Sequence, residues 1–162
     1  MRLSDQAYGL IRQRIITLEL PPLSPIDEQA LSQDLHLGRT PIREAPQRLP
    51  ADGLVFHAPR RGPFVSEISI TDLQKIFEAR VVMEGLCPRL AAQRVTPAQL
   101  AKMDALMQEL SSTPNCDNRT LMTIDERYHR LLYESADNEF LAGALRRLHA
   151  LSFRCGISCW TA

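Results

Sequence analysis

A mainly α-helical chain in two unequal parts is predicted by three observations. Of the eleven prolines, only Pro88, Pro97 and Pro114 lie beyond residue 65, so short elements and turns come first and long helices follow. Apolar residues recur at spacings of three and four on both sides of that boundary. Between Gly53 and Ser66 alone the pattern changes to two short apolar runs around a turn-rich tip.

The elements follow in order. A first helix is expected over 4–18, with Ser4 as its cap and Ala7, Ile11, Ile15 and Leu18 as one apolar stripe. Pro21-Pro22 stops it. A short second helix fits 27–35, with Leu31 and Leu35 on one face, and His36-Leu37-Gly38 is the turn that follows. A third helix starts near Arg39, with Pro41 in its first turn, where a missing N–H costs nothing, and Ile42, Ala45 and Leu49 facing inward. Leu54-Val55-Phe56 and Phe64-Val65 are the strands of a small hairpin, and residues 58–63 are its tip. Three short helices followed by a β-hairpin make a winged helix-turn-helix. The second part is read as an all-α bundle: a capping box at Thr71-Asp72-Leu73-Gln74 opens a helix to about Arg94, Thr96-Pro97-Ala98-Gln99 opens another, and two more cover 120–135 and 138–158. The domain boundaries expected are 1–66 for the winged helix-turn-helix and 70–162 for the helical part.

Composition narrows the classes. The chain of 162 residues has 19 basic and 19 acidic side chains, 44% hydrophobic residues and 23% charged ones. That excludes a disordered protein and leaves nucleic-acid binding undecided at the level of net charge. No apolar run reaches the ~18–20 residues that span a bilayer, and the polar start Met1-Arg2-Leu3-Ser4 lacks a signal core, so no membrane partner and a cytoplasmic location are expected. Cys87, Cys116, Cys155 and Cys159 show no C-x-x-C pair. Cys155 and Cys159 share a helix face, which leaves a zinc pair open beside the reading as free thiols.

Charge is uneven locally. Residues 36–62 carry Arg39, Arg43, Arg48, Arg60 and Arg61 against Glu44 and Asp52. Arg39 and Arg43, four apart, share a face of the third helix with Thr40 beside them. An arginine at the start of a helix lying in a major groove donates two bonds to guanine, while Thr40 and first-turn N–H groups reach phosphate. Arg60 and Arg61 at the tip suit a backbone or minor-groove contact. A solvated charged face is the plain alternative, and the turn between two helices, the proline at a helix start and the basic wing argue together against it.

The string Arg39-Thr40-Pro41-Ile42-Arg43-Glu44-Ala45, then Arg48-Leu49, Gly53-Leu54-Val55 and Arg61-Gly62-x-Phe64-Val65, resembles the DNA-binding domain of GntR-family transcription regulators over residues 4–66. The resemblance implies that Arg39, Thr40 and Arg43 touch DNA, that Gly62 lets the wing approach a groove, and that a homodimer sits on a palindromic operator of double-stranded DNA. Two positions depart from the family. Gln29 stands where a basic residue is frequent. Pro46 stands inside the recognition helix where leucine is usual, at a cost of about 3 kcal/mol in a helix interior, so impaired DNA binding is expected.

Ile70-x-x-Leu73-x-x-Ile76-Phe77-Glu78-Ala79-Arg80-x-x-x-Glu84-Gly85 and Asp125-Glu126-Arg127-Tyr128-His129 resemble the FCD-type effector domain of the FadR branch of that family. The resemblance implies a divalent metal (zinc, nickel or manganese) with Asp125 and His129 as two of its ligands, and a small carboxylate effector with Arg80 near it. Arg80 and Glu84 also fit a plain i, i+4 ion pair. The family takes two further histidines from later helices. His149 falls too early for these and is not read as a ligand, so the site is expected to be incomplete, with weak or absent metal binding. The chain is expected to stop about two-thirds of the way through such a domain, leaving Leu141, Leu145, Leu148 and Leu151 short of partners. The function expected is a sequence-specific transcription regulator, a repressor in the family's usual manner and not an enzyme. The alternatives are a helical dimerisation module without DNA binding and a metal-dependent hydrolase using Asp125 and His129, which lacks a third ligand and a base in the sequence pattern.

Overall fold

The computed structural model describes residues 2–67, 69–113 and 117–160. Cys116, and the side chain of Cys159, lie outside the described residues, so the zinc reading of Cys155 and Cys159 is not addressed; Cys87 and Cys155 are buried thiols, neither joined in a disulfide. The architecture is mainly α, with one two-stranded antiparallel sheet. No helix among the described residues is long and apolar enough to cross a membrane. Packing divides the chain into two units: residues up to Ile76 together with the stretch from Ala150 on, and Phe77–His149.

In the first unit, α1 (Leu3–Ile16) buries Ala7, Ile11 and Ile15 of the predicted stripe, but it ends two residues before Leu18, which sits past the helix at φ 60° and is only half-buried. Its start is Arg2, which makes no side-chain cap, so Ser4 is a helical residue and not the cap. α2 (Glu28–Asp34) is capped by the Asp27 carboxylate, which accepts the N–H groups of Gln29 and Ala30. α3 (Arg39–Arg48) turns Ile42, Ala45 and Pro46 inward, and packs on α1 and α2. Leu49–Asp52 tightens into a 3₁₀ turn with Pro50 as its second residue, and it ends on Gly53, whose φ of 73° is glycine's to adopt. β1 (Val55–Ala58) pairs antiparallel with β2 (Gly62–Val65), Ala58 opposite Gly62. The hairpin tip is therefore shorter than expected, and the strands reach further toward it.

A feature absent from the sequence reading is the segment 23–26, which lies along the other edge of β2. Leu23 N–H donates to Val65 O at 3.0 Å, Val65 N–H to Ser24 O at 2.9 Å and Ile26 N–H to Pro63 O at 3.0 Å. The chain after the Pro21-Pro22 stop thus holds the wing strand in place. The core of this unit also takes in Ala150, with Leu151 and Phe153 packed against it, and Arg154 donates to the carbonyl of Ser66 at 2.7 Å.

Pro46 does not break α3. The helix continues through it, and the ring is fully buried. Tertiary packing here overrides a poor intrinsic propensity. The missing N–H still costs, so Pro46→Ala is expected to stabilise the fold: about 3 kcal/mol regained in helix propensity, less about 0.8 kcal/mol for each buried methylene lost. A rise in the unfolding midpoint checks it; an unchanged or lower midpoint would mean that ring packing outweighs the helix term.

In the second unit, α4 (Ile70–Arg94, of which Phe77 onward belongs here), α5 (Pro97–Ser111), α6 (Asn118–Ser135) and the first part of α7 (Glu139–Trp160) form the helical bundle. Ser69, not Thr71, serves the first turn of α4: its Oγ accepts Asp72 N–H at 3.2 Å. Thr96 and Gln99 form the predicted capping box on α5, with Pro97 at its first position. Asp117 caps α6 by accepting Thr120 N–H. The guanidinium of Arg94 donates to the Ala136 and Asp137 carbonyls just past the end of α6, the end that favours a cation. Cys87, Ala91, Tyr133, Ala136, Leu141, Ala142 and Leu145 are the core. Leu141 and Leu145 are thus buried and Leu148 and Leu151 half-buried, which corrects the expectation that this face lacks partners. Exposed apolar side chains occur instead on α4 (Phe77, Val81, Val82 and Leu86), on α5 (Leu100 and Met107), at Leu121 of α6 and at Phe140 of α7.

Candidate nucleic-acid interface and metal centre

The first site is built on α3. Because Ile42, Ala45 and Leu49 bury one side of this helix and its continuation, Arg39, Thr40 and Arg43 are left exposed on the other. With Glu28 and Gln29 of α2 they line a concave notch of about 340 Å³. Gln29 therefore lies beside the arginines, where it offers an amide in place of the family's charge. Arg48 turns elsewhere: it pairs with Asp5 at 2.8 Å and lies over the Tyr8 ring, 4.3 Å from its centroid, so it braces α1 against α3. Tyr8 donates to Asp52, and burial together with that bond pushes its hydroxyl up to about 12.

The wing carries the other basic residues. Arg61 N–H donates to Ala58 O at 3.1 Å, closing a turn whose second residue is Pro59 and whose third is Arg60, at φ 61°. Glycine is the usual residue at that left-handed position. Gly62 follows at φ 87° with open space where a Cβ would stand, so the backbone conformation, not crowding, requires glycine there. Arg60 and Arg61 are exposed.

The second site is in the helical unit. Asp125 and His129 lie one turn apart on α6, and His149 of α7 joins them: donor atoms of all three fall within 4.8 Å of one another. His149 Nε2 is 3.3 Å from one Asp125 oxygen, and His129 Nε2 is 3.8 Å from the other. The imidazoles meet edge to face at 4.5 Å, and His129 stacks on Tyr133 at 5.8 Å. The hydrogen bond with His149 holds the Asp125 carboxyl below its ordinary range. Burial, with His149 next to it, pushes His129 down, so its ring is neutral near pH 7. His129 Nδ1 is buried with no hydrogen-bond partner. An ionised carboxylate and a neutral imidazole are the ligating forms for a divalent cation. The three donors therefore fit a metal better than the two that sequence spacing supplied. His149, set aside in the sequence, is the residue that spacing missed. One signal was present: it continues the Leu141–Leu145 spacing and is a polar residue on an apolar stripe.

Arg80 is half-buried beside this cluster. Its Nε donates to Glu84 Oε1 at 3.0 Å, the plain ion pair, and Tyr133 donates to the same oxygen at 3.3 Å.

A winged helix-turn-helix with exposed arginines on its third helix, joined to a helical unit holding a carboxylate–imidazole cluster, is the build of a two-part regulatory protein. Residues 3–65 match the family described as bacterial regulatory proteins, gntR family, and residues 75–161 match the FCD domain. The chain belongs to the GntR family and carries an FCD domain. It is 26% identical over 148 residues to the HTH-type transcriptional repressor RspR of Escherichia coli (strain K12), covering 91% of this chain and 65% of that protein. It is 30% identical over 135 residues to an HTH-type transcriptional regulator from the TAR-I ttuE-ttuC' intergenic region of Agrobacterium vitis, covering 80% and 78%. The fold matches that of E. coli McbR/YncC with a TM-score of 0.83 at 21% identity, over 100% of this chain and 77% of that one. The chain thus spans 65% of the length of the first of these relatives. The matched family is described as regulatory, and the E. coli RspR and A. vitis relatives are named as a transcriptional repressor and a transcriptional regulator, which favours regulation over the hydrolase alternative.

Proposed function

We propose that the chain is a sequence-specific DNA-binding transcription regulator, with residues 1–66 as the reading head and 70–162 as the effector half. The observation that carries this reading is the exposed face of Arg39, Thr40 and Arg43 on a helix whose opposite side is core. Arg39 and Arg43 read base edges in the major groove, Thr40 binds phosphate, and Arg60, Arg61 and Gly62 bring the wing to the neighbouring backbone or minor groove. The operator is a palindromic double-stranded site bound by a homodimer in the cytoplasm, and the response is repression, as the name of the RspR relative states for that protein.

In the effector half, Asp125, His129 and His149 would hold a divalent metal, which would supply Lewis-acid chemistry toward a small carboxylate effector. Arg80 stands ready to exchange part of its Glu84 contact for the effector anion.

The test is a salt titration of binding to duplex DNA. An apparent affinity that falls steeply between 50 and 200 mM salt, together with a preference among sequences, is the expected result. Binding that ignores salt, or no binding to duplex DNA, would favour the dimerisation module instead.

A further inference from the structure

We propose that Phe64 is a positioning residue for DNA recognition: its ring holds the Arg61 guanidinium in the orientation that the wing presents to the duplex. The inference rests on the DNA-binding reading above. The Arg61 guanidinium carbon lies 5.2 Å from the centroid of the Phe64 ring, within cation–π range. A cation–π contact draws on the charge of the guanidinium and leaves its directional N–H donors uncommitted. The contact therefore restrains the group over the ring without using any donor that phosphate or a base edge needs.

The platform is itself held on three sides. Phe64 stands opposite Phe56 in the hairpin register, their rings stacked at 5.8 Å and 28°. Its backbone bridges to Pro25 on the other edge of β2. The next residue, Val65, is fully buried and bonded to Ser24. Arg61 is constrained from its own side as well, between the closed turn to Ala58 and the left-handed Gly62. Both ends of the contact are thus fixed in backbone, and the long arginine side chain is the freedom that the ring removes before DNA arrives. Ordering a rotamer-rich side chain in advance lowers the cost of binding. The competing account is that the two rings simply stabilise the hairpin as a cross-strand pair.

A double-mutant cycle on the full chain separates the two, using a palindromic duplex recovered by selection from a random library as probe. Phe64→Leu, which keeps an apolar strand residue and removes the ring face, is expected to weaken binding about two- to fivefold. It is also expected to bring the salt dependence toward that of Arg61→Ala, which loses about one counterion. In the Arg61→Ala background the same change is expected to cost nothing further. An equal penalty in both backgrounds would overturn the inference and leave the ring a structural one. Melting curves run in parallel identify a variant whose hairpin does not form. In that event the cycle is repeated with Phe64→Ile, which keeps a strand-favouring apolar residue and no ring face. A penalty that again vanishes in the Arg61→Ala background supports the proposal, and an equal penalty in both backgrounds overturns it. If the native chain binds no duplex at all, it is the DNA-binding reading that has failed.

Discussion

Arg43→Ala is expected to weaken binding to the preferred duplex by about 1–3 kcal/mol and to relax the preference at one base pair in each half-site. Arg43 lies one turn beyond Arg39 on the exposed side of α3, with the buried Ile42 and Ala45 fixing the helix rotation beneath it. A side chain at that point of a recognition helix reaches base edges, and an arginine there donates two parallel bonds to guanine. Its removal leaves those acceptors without a partner in a partly desolvated interface, which is why the loss concentrates in the specific complex. Affinities for the selected duplex and for a scrambled one, at one salt concentration, check the expectation. Equal weakening on both would make Arg43 a phosphate contact, and no change on either would remove it from the interface.

The second large effect is expected at His149. Native protein should bind a divalent ion stoichiometrically, and His149→Ala should abolish that binding. Asp125 and His129 alone share one helix and leave most of the coordination sphere to water. His149 closes the set from a second helix, bringing three donors within 4.8 Å. Calorimetry with zinc, nickel and manganese measures this directly. Asp125→Asn, at a half-exposed side chain, gives a second variant that leaves the core intact. Binding that survives His149→Ala unchanged would show that the ion sits elsewhere. No binding by the native chain would make the cluster a hydrogen-bonded one only.

The parts of the fold that sequence made legible are those written in local chemistry. The Ala7, Ile11, Ile15 stripe and the Thr96–Gln99 capping box each depend on a few neighbouring residues. The parts that escaped depend on distant partners. Residues 23–26 have no alternating pattern, and only the presence of β2 makes them an edge. Pro46 reads as a break from propensity, yet the helix continues because its ring is packed in the core. The same distinction divides the sites. Arg39, Thr40 and Arg43 are marked by spacing along one helix, and Asp125 with His129 likewise. That α7 delivers His149 to them is a matter of which helices meet, and spacing within one helix carries no information on that.

The measurement that bears most directly on the account compares two duplexes at a fixed, near-physiological salt concentration: the palindrome selected from a random library, and the same bases scrambled. The account predicts a specificity ratio of at least about 10³ in favour of the palindrome, bound by two chains. Equal affinity for the two duplexes would contradict it.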